Sequence, residues 1–208
     1  SWGTVMQVTF LFGALLLLVG ILFSGTFRAW LKVFISKHFY SYHYDYREEW
    51  MRFTRTLSEH GPNLGERAIH ALGALVESPG GALWIRRADD RFELAAHVHT
   101  TPAQSPLPPD DSMCVFVETR QWVIDLRELA AEPGLYAGLA VPSAIAELPR
   151  ARLVVPLILH GRLFGLMLLL EPRSRLSLNW EVIDLLKIAA NQAASYLAQQ
   201  EAADALMV

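Results

Sequence analysis

Hydrophobic and polar positions divide the chain into an apolar head, an amphipathic connector and a region where helical and strand periods alternate. Residues 5–23, VMQVTFLFGALLLLVGILF, hold only Gln7 and Thr9 as notably polar positions. As a helix this run spans about 28 Å, close to the thickness of a hydrocarbon core, and residues 1–26 are predicted as one transmembrane helix. A buried core helix is the competing reading. Residues 27–39 place Phe27, Trp30, Leu31, Phe34 and Ile35 on one stripe, with Arg28 and Lys32 beside it. Such a helix suits the headgroup level or a continuation of the membrane helix. Phe39, Tyr40, Tyr42, Tyr44 and Tyr46 alternate with Ser41, His43 and Asp45, which predicts an extended stretch. Residues 47–59 return to helical spacing, with Trp50, Phe53 and Leu57 on one face and Glu48 and Arg52 paired outside.

From residue 60 the pattern predicts a globular domain reaching residue 203. Gly61-Pro62-Asn63 breaks the connector helix. Asn63 is placed to cap a helix running to about Val76, with Glu66 in the capping-box position. Residues 82–87 and 92–98 read as a strand pair joined at Asp89-Asp90. Residues 100–111 contain four prolines and read as a loop. Residues 113–117 read as a short strand or helical turn, 122–126 as a strand and 127–132 as a helical turn. Residues 152–171, RLVVPLILHGRLFGLMLLLE, split at His160-Gly161-Arg162 into two almost wholly apolar strands. They are expected at the centre of a sheet, covered on both faces. Asn179 is predicted to cap a final helix from Trp180 to about Ala203. The fold class is α+β: a chiefly antiparallel sheet with helices on one face.

Charge sharpens the division. The 208 residues include 18 basic and 21 acidic side chains, and none lies before Arg28. Arg28, Lys32 and Lys37 follow the apolar run directly, and no acid precedes Asp45. By the positive-inside bias, residues after 27 face the cytoplasm. A signal peptide would carry its basic residues before the apolar run. The single cysteine, Cys114, excludes a disulfide framework and a cysteine-based zinc cage. The basic field is too thin for nucleic acid to be expected as a partner.

Chemistry-bearing residues are few. His97 and His99 alternate along a predicted strand, so they are expected on one face, as a surface or pocket pair. Cys114 reads as a buried small hydrophobe or a reactive thiol, and Asp125 and His160 have no nucleophile to serve. His160 is expected to face solvent. No metal site, catalytic set or glycine-rich phosphate loop is expected. His97, His99, Cys114 and Asp125 are the candidates for a ligand pocket.

The hairpin Val155-Pro156-Leu157-Ile158 through Gly161-Arg162-Leu163-Phe164-Gly165-Leu166 resembles the signature of GAF domains. So do Gly81-Ala82-Leu83-Trp84 and the last helix, with Glu181, Leu185-Leu186 and the run from Ala189 to Ala194. The resemblance covers about residues 60–203. It implies a GAF-like antiparallel sheet flanked by N- and C-terminal helices, with any ligand cavity between the sheet and residues 100–150. The Asn-Lys…Phe…Asp-Glu pattern of cyclic-nucleotide-binding members is missing there, so no cyclic nucleotide is expected to bind, and the middle segment is short, so the cavity is expected to be small or absent. The methionine-sulfoxide-reducing branch of the fold needs several reactive cysteines.

Residues 31–57 further resemble the linker of membrane-bound bacterial sensor histidine kinases associated with exopolysaccharide and PEP-CTERM sorting systems. That resemblance implies a bacterial inner-membrane protein. A transmembrane helix (1–26, membrane contact through 5–23), a connector (27–59), a sensory domain (60–203) and the start of a linker (204–208) would then precede kinase domains. ATP and Mg would belong to those domains, with no cofactor in this segment. A homodimer and a cognate response regulator are the partners implied. A GAF module of a cyclase or transcription regulator, and a ligand-free dimerisation domain, are the alternatives.

Overall fold

A computed structural model of the chain describes residues 1–38, 46–59, 61–175 and 178–207. It forms two compact units, Ser1–Arg47 and Glu48–Val208. In the first, α1 (Trp2–Phe23) has no buried residue, and its mean hydropathy of 2.5 makes it long and apolar enough to cross a membrane. It ends at Ser24, whose backbone turns extended (φ −64°, ψ 125°), and α2 (Gly25–His38) starts afresh. Residues 27–38 therefore do not continue α1 as one rod. Phe27 and Trp30 stack at 5.9 Å, as the predicted stripe requires, while the side chains of Phe34 and Ile35 lie outside those described. So do Phe39, Tyr40, Tyr42 and Tyr44 of the expected extended stretch; Tyr46 opens a helix instead.

The second unit is built on five antiparallel strands in the order β2-β1-β5-β4-β3. These are β1 (Gly81–Arg86), β2 (Phe92–Val98), β3 (Ile124–Asp125), β4 (Ala151–Leu159) and β5 (Arg162–Leu170). The β4–β5 hairpin turns through His160 and Gly161, both at positive φ (51° and 75°), the signature of a tight two-residue turn. His160 is exposed there, as expected. With period two, Leu153, Val155, Leu157, Met167 and Leu169 serve one face and Val154, Leu166 and Leu168 the other, all fully buried. That double burial is why these strands carry almost no polar residue. Pro156 lies beyond the end of the two-residue β3, where β4 loses its neighbour on that side.

Helices α3 (Tyr46–Ser58), α4 (Leu64–Leu75) and α8 (Trp180–Leu206) cover one face. Phe53 and Leu57 bury as their spacing predicts, and Arg52 pairs with Glu48 at 3.8 Å and Glu49 at 3.2 Å. Asn179 caps α8 through Oδ1, which accepts from Val182 N at 2.9 Å. Ala189, Ala190, Ala193 and Ala194 are fully buried, and Asn191 Oδ1 accepts from Ile158 N at the register shift where β5 carries Phe164 as an extra residue. Ala190 and Ala194 are thus used within the domain and are not open to a partner helix.

Two local expectations fail. Asn63 makes no side-chain cap; it sits in the left-handed region at φ 64°. The junction is held instead by Arg67, which donates to the carbonyls of Thr56 (3.0 Å), Glu59 (2.7 Å) and Gly61 (2.9 Å). It satisfies acceptors that the end of α3 leaves open. The second difference is that helices lie on both sheet faces and not on one; the opposite face is covered, as the apolar pattern of β4 and β5 requires, by further helices. These are α5 (Ser112–Arg120), α6 (Leu126–Ala131), a 3-10 turn at Pro133–Tyr136 and α7 (Ser143–Ala146). Asp111 caps α5 by accepting from Met113 N at 2.9 Å, which makes 112–120 a helix and not a strand.

Candidate functional site

The layer between the sheet and residues 100–150 is closed. Trp84, Phe92, Met113, Cys114, Val117, Ile124, Ile145 and Leu163 meet there with essentially no exposure. Leu107 anchors the proline-rich loop by exchanging both backbone hydrogen bonds with Phe92. Trp84 Nε1 is buried in this layer without a hydrogen-bond partner among the described residues. Burial, reinforced by Asp111, pushes the Cys114 thiol up to about 12, so it stays protonated and a poor nucleophile.

Asp125 does not face that layer as a ligand group. It caps α6 through Arg127 N at 3.0 Å, and Arg152 takes both carboxylate oxygens. Arg152 also reaches Glu171 Oε1 at 2.8 Å, and its guanidinium is held above its ordinary value, chiefly by the Asp125 hydrogen bonds. The aromatic trio Phe116, Trp122 and Tyr136 lies beside it, with ring centroids 5.8–6.3 Å apart. The Tyr136 hydroxyl donates to Glu128 and accepts from Asp125 N. Desolvation and the bond to Glu128 raise its pKa.

His97 and His99 part company. His97 lies on the exposed side of β2, while His99 falls one residue past the strand at φ 56°. The left-handed residue breaks the alternation that would have kept both rings on one face. His99 instead lines an open recess of about 440 Å³ with His70, Glu77, Ser78 and Arg173. Cys114, buried in the opposite layer, is not among its lining residues. The four pocket candidates are therefore dispersed.

Two groupings were not foreseen. One is ionic and lies at the end of the sheet. Arg86 binds Glu118 of α5 and Asp90, and Asp90 also binds Arg162 at 2.7 Å. The adjacent Arg87 binds Glu93 and Glu201 of α8. Arg86 closes β1 and Arg87 follows it, and their partners lie in opposite helical layers, so the pair ties both layers to the end of β1. The signal was the Arg-Arg doublet closing an apolar strand. The other is a recess of about 370 Å³ at the β3 edge, walled by Trp122, Tyr136, Leu178, Trp180 and Ile183, with Glu128, Asp184 and Lys187 at its margin. Trp180 is 73% exposed and Trp122 43%.

No family model and no curated protein sequence matches the chain. Solved structures do match its fold. The GAF domain of an Acinetobacter phosphoenolpyruvate-protein phosphotransferase aligns with TM-score 0.57 at 12% identity, over 76% of this chain and 96% of that one. The corresponding GAF domain from Coxiella burnetii gives 0.57 at 17% identity, over 76% and 95%. Residues 122 to 287 of a methyl-accepting chemotaxis protein give 0.53 at 19%, over 71% and 94%. The second unit therefore has the GAF fold.

Proposed function

We propose that this chain is the membrane-proximal sensory and relay segment of a bacterial membrane histidine kinase. In this reading α1 anchors in the inner membrane and the residues after 27 are cytoplasmic. The GAF-fold unit stands between the membrane and kinase domains that would bring ATP, Mg and a response regulator. The observation that carries the reading is α8. It continues to Leu206, yet its last buried residue is Leu197. A helix that outruns its own core has the form of an output element.

The likeness of residues 31–57 to kinase linkers supports the choice of kinase over cyclase or transcription regulator. The helix holds no histidine, so phosphoacceptor chemistry would lie in other domains. Dimerisation would use the outer stripe of α8 beyond the β3-edge recess, where Ile188, Gln192 and Gln199 are exposed and Ile188 is 57% accessible. The closed apolar layer favours one second reading, a dimerisation domain that relays helix movement without a ligand.

The test uses the parent chain in membranes. An Ile188→Cys variant should form disulfide-linked dimers on mild oxidation. A one-turn insertion after Leu197 should abolish histidine autophosphorylation, and a full-heptad insertion should restore it. A parent chain that transfers no phosphate from ATP to histidine defeats the kinase reading. A monomer at high concentration defeats both.

A further inference from the structure

We infer that the recess at the β3 edge is a binding site for a small aromatic ammonium ion. It lies outside the closed layer beneath residues 100–150, and it requires neither a kinase nor a dimer.

The recess is formed where the sheet edge, α6, the 3-10 turn and the start of α8 converge. Its volume of about 370 Å³ falls within the range of small-molecule sites, about 300–1,000 Å³. Trp122, Tyr136 and Trp180 supply aromatic walls. Trp180 occupies the first position of α8, where any good helix former would serve the fold, and leaves 73% of its surface in solvent. Large exposed rings around a recess are features of binding surfaces.

Charge selects the ligand. Aromatic faces attract cations, and the Trp122 ring already carries the Arg120 guanidinium 5.7 Å from its centroid. Of the four charged residues lining the recess, Asp125 is satisfied by Arg152. Glu128 accepts one hydroxyl and keeps lone pairs free. Asp184 is exposed, with no ion pair among the described residues. Lys187 is the only base among the lining residues. Among the lining residues Glu128 and Asp184 against Lys187 leave one negative charge; Arg120, outside the lining, already sits over Trp122, so the carboxylates and not that ring are where a new cation would settle. An arylalkylammonium fits this arrangement, its ring against the tryptophans and its ammonium on the carboxylates. A carboxylate ligand of the same shape would meet two like charges.

The experiment titrates the full chain, in non-ionic detergent, with phenethylammonium, phenethyl alcohol and hydrocinnamate at fixed ionic strength. Tryptophan fluorescence and calorimetry read the binding. Phenethylammonium should saturate the protein, with the neutral alcohol about tenfold weaker and the anion weaker still. Asp184→Asn should weaken the ammonium about fivefold, Lys187→Gln should tighten it about threefold, and Trp180→Ala should remove saturable binding. All three positions lie on the outside of α8, and an unchanged thermal melt confirms the fold. The proposal is overturned by any of four results. These are hydrocinnamate binding as tightly as phenethylammonium, the two charge variants failing to move affinity in opposite directions, binding that survives Trp180→Ala, and no saturation by about 10 mM.

Discussion

Arg152 grips Asp125 at two points across the β3–β4 edge, Nε to Oδ1 at 2.8 Å and Nη2 to Oδ2 at 2.9 Å. The parallel geometry makes this pair a clasp for a strand only two residues long.

Removing the carboxylate should therefore act on stability. Asp125→Ala leaves Arg152, whose side chain is 14% exposed, with Glu171 alone. The expected loss is about 2 kcal/mol, read from the urea midpoint. Asp125→Asn, which keeps an acceptor oxygen, should lose less. An unchanged midpoint in both variants would show that the clasp is idle.

Cys114 should behave as a core methyl group that happens to contain sulfur. Iodoacetamide at neutral pH should leave it unmodified until the protein unfolds. Its thiol is raised from 9.0 to about 12, so between those values the unfolded chain releases the proton and the native chain keeps it. Stability is then full below pH 9 and falls as pH rises toward 12. Cys114→Ala should flatten part of that decline, and rapid native alkylation is the contrary result.

Close approach of β1 to β5 depends on two glycines. A Cβ on Gly165 would stand 2.4 Å from the Trp84 carbonyl oxygen, and one on Gly81 would stand 1.9 Å from that of Leu168. Backbone cannot yield as a side-chain tip does. Gly165→Ala should cost about 3 kcal/mol or prevent folding. Gly134→Ala, with nothing within 4 Å, should be close to neutral in the same melt.

Arg87 should govern the end of α8 more than the global fold. Its partners are about two-fifths exposed or more, so Arg87→Gln should barely move the unfolding midpoint. Amide exchange over residues 198–206 should nevertheless accelerate, because no residue beyond Leu197 is buried. Adding Glu201→Gln should produce no further acceleration; additive effects would separate the two residues.

The strands and helices that obey one period were legible in the chain. The β4–β5 hairpin, β2 and the Asn179 cap all follow from local pattern and turn chemistry. Residues 112–120 were legible only as a short strand or a helical turn at 113–117, because Asp111 was absorbed into a proline-rich loop and its capping role depends on Met113 N. Asn63 showed the converse error. A correct capping sequence was overruled by Arg67, whose three bonds reach back over residues distant in the pattern. The candidate site was less legible than the fold. His99 turns left-handed one residue past β2 and so parts from His97, and Asp125 was committed to an arginine 27 positions away. Trp180 and Trp122 meet at one recess only because the start of α8 comes to rest beside the sheet edge, a fact of topology.

Ser24 has a mechanical consequence. Its amide bonds to the Ile21 carbonyl, three residues back, and its ψ of 125° takes the chain out of the helical ladder for one residue. An unbroken helix carries torque from end to end. At Ser24 that ladder is interrupted, so a twist applied to α1 would cross the joint less directly than a push or pull along the chain. In the proposed relay, a stimulus entering through α1 would reach α2 as a change in height or tilt, in the manner of a piston and not of an axle.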